Sequence, residues 1–271
     1  MNTLKITIDK AVSKSELSVP RMLLLGFMAG AFIAFGAEGS NMAASGLLAD
    51  AQTYGLGRAL SGLIFATGLM MVIIGGGELF TGNNLMLCGV LDRKVTAAAM
   101  LKNWFFVYIG NFAGALFIAF LMNYTGLFSA SAGLLGVMTV KIGAGKTALT
   151  FGKAFVLGIL CNWLVCLAVW MSFGAENTAG RVLVILFPIW LFVTSGFEHS
   201  IANMYYIPAA IFAKGQYGQA AIDMGLSQQA LDSLSWQGMF VSNLIPVTLG
   251  NIVGGAVFVG LIYYICYRGK K

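Results

Sequence analysis

Glu198 and His199 stand side by side near the middle of an apolar segment running from about Val182 to Phe212, and His199 is the chain's only histidine. An imidazole can donate a hydrogen bond, accept one, or pass a proton near neutral pH. At membrane depth an ionisable side chain costs ~2.5–3.5 kcal/mol on insertion scales, so it faces protein or a water-filled path rather than lipid. Gly196 precedes the pair, and Ser200 and Asn203 follow it. A glycine and polar side chains inside an apolar run predict a helix broken where a solute passes. The chemistry such a break offers is hydrogen bonding and proton transfer to that solute.

A second stretch carries the same pattern. Glu78-Leu79-Phe80-Thr81-Gly82-Asn83 parallels Glu198-His199-Ser200-Ile201-Ala202-Asn203, with Asn five residues after Glu in both and a Gly-containing pair, Gly76-Gly77 or Gly196-Phe197, just before. Further on, Gly110-Asn111-Phe112-Ala113-Gly114 parallels Gly250-Asn251-Ile252-Val253-Gly254. Two matches in the same order predict an internal repeat, with the functional site where the two broken segments meet. At the breaks, Glu78 and Glu198 are expected to cap freed backbone N–H groups, with Asn111 and Asn251 bonding exposed backbone nearby.

The elements that must hold these residues follow from composition. The chain has 271 residues, 59% hydrophobic and only 10% charged, against about 25% charged in soluble domains, and its mean hydropathy is +0.85. It is a membrane protein. Six apolar stretches are long enough to span a bilayer: about Pro20–Leu47, Ala59–Leu91, Leu101–Leu127, Ala148–Phe173, Val182–Phe212 and Gly238–Tyr267. The second and fifth exceed one crossing and contain the polar interruptions. Three spans per half place the second half in the opposite orientation, so the fold class is an all-α membrane protein with a 3+3 inverted repeat. High glycine, 35 residues, fits close helix packing. Four cysteines, at 88, 161, 166 and 266, read as thiols in or beside apolar segments, with no metal-site spacing.

The domains expected are an amphipathic cytoplasmic segment over residues 1–19, a six-span channel domain over 20–267 and a short basic tail over 268–271. In the first segment Leu4, Ile8, Ala11 and Ser15 share a helical face, which predicts a short helix on the membrane surface and a candidate plug or arm for a cytoplasmic partner. No cleavable signal is expected. With the N-terminus inside, the inner connections carry Lys5, Lys10, Lys14, Arg21, Arg93, Lys94, Lys102, Arg181, Arg268, Lys270 and Lys271, eleven in all. The outer ones carry five: Arg58, Lys141, Lys146, Lys153 and Lys214. That asymmetry predicts both termini in the cytoplasm and puts the connections 128–147 and 214–237 outside. The same flanking residues account for the net charge of +6 without a nucleic-acid partner.

Three segments resemble signature motifs of the formate/nitrite transporter family: Gly77-Glu78-Leu79-Phe80-Thr81-Gly82, the run from Cys161-Asn162-Trp163 to Trp170, and Gly196-Phe197-Glu198-His199-Ser200-Ile201-Ala202-Asn203-Met204. The resemblance covers essentially the whole chain. It implies an aquaporin-like protomer in a homopentamer in a prokaryotic plasma membrane, each protomer with its own pore for small monovalent anions and no cofactor. Residue by residue, it makes His199 the central pore histidine and Thr81 the threonine of the broken second span, flanked by Leu79 and Phe80. It makes Lys146 the lysine that draws the anion inward and Asn203 an asparagine linked to that lysine and threonine. Phe65 and Leu69 resemble a cytoplasmic-side constriction, Val165 and Phe192 an outer one, and Asn162 a pore-facing position. Glu38, a charge in the first span, has no counterpart role.

Singly, these residues have plainer readings: His199 a satisfied interior histidine, Lys146 a solvated loop charge, Phe65 and Phe192 packing groups. Together with the resemblance they give a mechanism. Desolvation stops a bare anion at apolar constrictions; Lys146 raises the local anion concentration; His199, Thr81 and Asn203 replace lost water. A buried imidazolium near Lys146 is costly on both counts, and an arriving anion offsets both, easing transient protonation. This mechanism does not separate small monovalent anions; the family resemblance ranks formate first, then hydrosulfide and nitrite. A neutral-solute channel of aquaporin type lacks its Asn-Pro-Ala boxes here, since Met204-Tyr205 follows Asn203 and Asn84-Leu85 follows Asn83. An enzyme is not expected: Gly145-Lys146-Thr147 has Val140 where a phosphate-binding loop needs glycine.

Overall fold

The computed structural model describes residues 3–269; Lys270 and Lys271 of the basic tail, like Met1 and Asn2, lie outside the described residues. The chain is helical along its length. In order, α1 (Thr3–Ser15), α2 (Val19–Ala49) and α3 (Tyr54–Gly75) lead to the first break. A short return follows: α4 (Phe80–Asn83), a tight turn at Asn84–Met86 and α5 (Leu87–Leu91), before the long α6 (Ala97–Thr125). The second half runs α7 (Leu134–Thr147), α8 (Phe151–Gly174), α9 (Thr178–Ser195), the second break, α10 (Ser200–Asp223) and α11 (Gln228–Ser233). It ends in one 30-residue helix, Gly238–Tyr267. That helix contains α12 (Ile245–Ile252) and α13 (Ile262–Tyr267), separated by π-helical turns.

Among the described residues six helices are long and apolar enough to cross a membrane: α2, α3, α6, α8, α9 and Gly238–Tyr267. Their ends follow local chemistry. Pro20 in the first turn of α2 has no N–H to leave unpaired. Thr96 and Asn177 cap α6 and α9 by accepting from Ala99 N and Gly180 N. Both breaks open on a left-handed glycine, Gly76 at φ 91° and Gly196 at φ 80°, a conformation that side-chain-bearing residues resist.

The inverted repeat extends to main-chain contacts. In the first half Gly110 and Gly114 of α6 lie against the carbonyls of Leu23 and Phe27 on α2. In the second, Gly250 and Gly254 lie against those of Phe155 and Ile159 on α8. Added Cβ atoms at these glycines would collide with backbone, which cannot move as a side chain can. Three cysteines, Cys88, Cys161 and Cys166, are buried free thiols, and Cys266 is exposed.

Two expectations need correction. First, the apolar face of α1 is not left free for lipid. It buries Leu4, Thr7, Ile8 and Ala11 against the bundle, and Ser15 bonds back to Val12 O instead. Its apolar face is therefore occupied by the protein itself. Second, the connection 128–147 is not an open loop: Leu134–Thr147 forms α7, packed on α10 with most of its length buried. Span lengths set by apolarity stopped α10 at Phe212, but the helix continues to Asp223, because the polar residues beyond face outward.

Gly114→Ala is expected to lower the thermal midpoint of the detergent-solubilised protein more than Gly76→Ala. A Cβ at Gly114 overlaps the Phe27 carbonyl and lies 2.9 Å from Ala31 N, whereas nothing lies within 4 Å of one at Gly76. The first change reaches or exceeds the ~1–3 kcal/mol of core overpacking; the second costs the left-handed strain of about 1–2 kcal/mol. Equal losses in a thermal-shift assay would contradict the packing role.

Candidate functional site

Breaking two helices inside a dry bundle leaves their backbone groups without helical partners. Two asparagines supply them. At the first break Phe80 N donates to Asn111 Oδ1 at 2.9 Å, and Asn111 Nδ2 donates to the carbonyls of Gly26 and Glu78, each at 2.8 Å. At the second, Ser200 N donates to Asn251 Oδ1 at 2.9 Å, and Asn251 Nδ2 donates to Gly158 O at 2.8 Å and Glu198 O at 3.0 Å. The chain between stays extended at Leu79 and His199, pinned by Glu78 N to Leu25 O and Glu198 N to Leu157 O.

The capping expected of the two glutamates therefore belongs to the asparagines. Glu78 and Glu198 face cations instead. Lys14 Nζ lies 2.6 Å from Glu78 Oε1, and Asn83 Nδ2 donates to Oε2 at 2.8 Å. Lys146 Nζ lies 2.8 Å from Glu198 Oε1, and Asn203 Nδ2 donates to Oε2 at 2.6 Å. Asn103 and Asn243 complete the sets, each accepting from its neighbouring Asn at 2.7 Å and donating to the backbone carbonyl of Lys14 or Lys146. Asn203 thus reaches Lys146 through Glu198 and makes no bond to Thr81, which corrects that link. Lys146 is a paired charge at the end of α7, not a free one. Lys14, Asn103 and Asn243 were missed from sequence. Their signal was the repeat itself, which extends to α1 and α7 once those two are matched.

At the centre Thr81 Oγ1 and His199 Nε2 are 2.9 Å apart, both residues buried. His199 Nδ1 accepts from Ala202 N at 3.1 Å and so caps α10. With Nδ1 accepting, the neutral ring carries its hydrogen on Nε2 and donates to Thr81, leaving the threonine hydroxyl hydrogen available. The Phe192 ring stacks on His199 with centroids 6.0 Å apart, and Phe65 meets Phe192 edge-on at 5.6 Å.

Two cavities approach this pair. One, of about 270 Å³, is lined by Lys14, Leu69, Glu78, Leu79 and Asn83 among others. The other, of about 90 Å³, is lined by Arg58, Phe65, Lys146, Phe192, Glu198, His199 and Asn203 among others. Phe65 therefore shares a side with Phe192 and not with Leu69. The two positions are one helical turn apart, ~6 Å along the axis, and the closed layer passes between them. Leu79 lies on the Leu69 side. Phe80 packs edge-on against Trp104 and Tyr108. Neither Val165 nor Asn162 lines either cavity. Asn162 Nδ2 lies within bonding distance of Thr81 O, Asn84 Oδ1 and Asn251 O, at 3.2, 2.8 and 2.7 Å. It ties one break to the other as a brace. Cys166 adds a thiol bond to Thr81 O at 3.1 Å. The Glu38 carboxylate accepts the Tyr205 hydroxyl between α2 and α10.

Residues 1–265 match the family model described as formate/nitrite transporter. The chain is 40% identical to an uncharacterized transporter, YrhG, of Bacillus subtilis strain 168, over 97% of this chain and 91% of that one. It is 38% identical to a probable formate transporter of Methanothermobacter thermautotrophicus, over 98% and 96%. A solved structure described as a pentameric formate channel with formate bound matches at a TM-score of 0.80 and 39% identity, covering 92% of this chain and 97% of that one. A match along nearly the whole chain, on a fold whose two halves repeat the asparagine and lysine–glutamate bonds at their breaks, makes this multi-pass membrane protein a member of the formate/nitrite transporter family.

Proposed function

We propose that each protomer carries a small monovalent anion of a weak acid, formate first, along its own path between the two cavities, with His199 and Thr81 at the waist. The observation that carries this reading is the approach of two cavities to one hydrogen-bonded pair, where both helix breaks meet. The relatives named for formate support the substrate. The pentameric structural relative supports a homopentamer. The balance of basic residues supports cytoplasmic termini, so the cavity beside Lys14 opens inward and the one beside Lys146 outward.

Apolar side chains flank the waist on both sides. Leu69 and Leu79 on one side, and Phe65 and Phe192 on the other, offer an anion nothing in place of its water, and desolvating it there is prohibitive. His199 Nε2–H and the Thr81 hydroxyl are the donors that substitute. The N-terminus of α10, starting at Ser200, adds positive potential at that depth. With Nδ1 engaged by Ala202, His199 acts as a donor. The proton that neutralises the anion comes from the bulk solution, as hydronium relayed through the cavity, and the neutral acid then crosses the apolar layer at far lower cost.

Uptake into proteoliposomes across a pH series tests this. Formate uptake is expected to rise as the outside is acidified, and His199→Phe to abolish it while the pentamer still elutes intact on size exclusion. Chloride flux equal to formate flux, with no response to acidity, would sink the mechanism. The ion pair makes a second prediction. Lys146→Met leaves Glu198 buried without its cation, which is destabilising by about 3–5 kcal/mol and presents a bare negative charge to the anion. Formate uptake should fall, more at neutral than at acidic pH. Adding Glu198→Gln should restore part of it, and a double variant no better than the single would show that Lys146 acts in some other way.

A further inference from the structure

The cavity beside His199 contains two basic side chains, and only one of them is neutralised. Lys146 is held 2.8 Å from Glu198 Oε1. Arg58, on α3, makes no ion pair among the described residues. Its Nε donates to Thr194 O at 3.2 Å, and one Nη2 hydrogen goes to Val193 O. Those carbonyls end α9, just before the second break. A guanidinium has five N–H donors; with two engaged, both hydrogens on Nη1 and one on Nη2 remain. They form the end-on edge of the fork, on a side chain that lines the cavity.

We propose that this edge of Arg58 is the docking site at which a planar two-oxygen anion, a carboxylate or nitrite, waits before reaching His199. Charge supports it. The Lys146–Glu198 pair sums to zero, and the end of α9 contributes only about half a negative charge, so Arg58 is the full positive charge left without an ion pair among the described residues lining the cavity. Shape supports it too. A guanidinium edge matches two oxygens in parallel, whereas a single-centre anion such as hydrosulfide offers one atom to both N–H groups and cannot form the two parallel bonds. Gly196 keeps the place open, since a Cβ there would lie 3.2 Å from Arg58 Nη2. The same glycine therefore breaks the helix and seats the guanidinium. Sequence reading had Arg58 only as a charge in an outer connection.

This inference rests on the reading that the cavity is the anion's entrance, so the experiment must separate the two. Arg58→Lys keeps the charge and loses the fork. In proteoliposomes the half-saturating concentration for formate and for nitrite is expected to rise roughly tenfold, the worth of one charge-assisted hydrogen bond. That for hydrosulfide should stay within about twofold, a contrast that loss of a merely structural contact would not produce. A parallel rise for all three anions, or none for any, overturns the proposal. Wild-type protein that moves no formate would sink the transport reading instead. Labelling then decides Arg58, as it also does should Arg58→Lys not fold. Phenylglyoxal modification of the wild-type pentamer, read at Arg58 by mass spectrometry, should be slowed several-fold by formate and not by chloride at equal ionic strength. Equal labelling in both overturns the docking site.

Discussion

A polypeptide that stops being helical in the middle of a membrane protein must find other partners for its N–H and C=O groups, because neither lipid nor packed side chains offer any. Each such group left unmatched costs several kcal/mol. Everything distinctive here depends on how that is met. One carboxamide per break, Asn111 or Asn251, receives the N–H that restarts the helix and donates to two carbonyls on either side. An amide is the fitting group because it is neutral and offers acceptor and donor together. A carboxylate could take the N–H but would then face two carbonyls with nothing to give.

The glutamates next to the breaks serve a different need. A buried carboxylate survives only if paired and hydrogen-bonded on its remaining oxygen. Each of these has a lysine on one oxygen and an asparagine on the other. The lysines come from outside the spanning helices, Lys14 from α1 and Lys146 from α7. Each pair therefore clips a peripheral helix onto a break. This explains why α1 is docked and why the stretch ahead of α8 is a buried helix. It also changes the electrostatics of both cavities: a lysine whose charge is matched holds structure together and does little to draw in an anion from a distance.

Much of this was legible in the sequence. Apolar length marked the spans, and Glu198–His199 inside such a length marked a break. The twin Glu-x-x-x-x-Asn stretches with Gly-Asn-x-x-Gly gave the inverted repeat. What stayed hidden had physical reasons. The docking of α1 depends on Lys14 meeting Glu78, 64 residues away, and on a hydrophobic face that would suit lipid or protein equally well. The sidedness of Phe65 turned on one helical turn, finer than a span boundary read from hydropathy. Asn162 sits among motif residues whichever way it points, and only its three partners show it to be a brace. Arg58 looked like one more flanking cation because its partners are main-chain carbonyls, which leave no mark in a sequence.

The repeat also separates what supports the path from what acts in it. Positions that agree between the halves are those that satisfy backbone or bury charge: the Gly at each break, the Glu, the asparagines, the lysines, the glycines at helix crossings. Positions that differ cluster at the waist. Where the second half has His199, the first has Leu79; where the first has Thr81, the second has Ile201. Two identical halves would place two imidazoles or two leucines at the junction. The first arrangement holds charge too readily to release a neutral acid, and the second has no donor to receive an anion. One donor pair, a hydroxyl from one half and an imidazole from the other at 2.9 Å, set between apolar walls, avoids both extremes. The asymmetry is tolerable because the amides that take up the backbone at the breaks, Asn111 and Asn251, are shared by both halves.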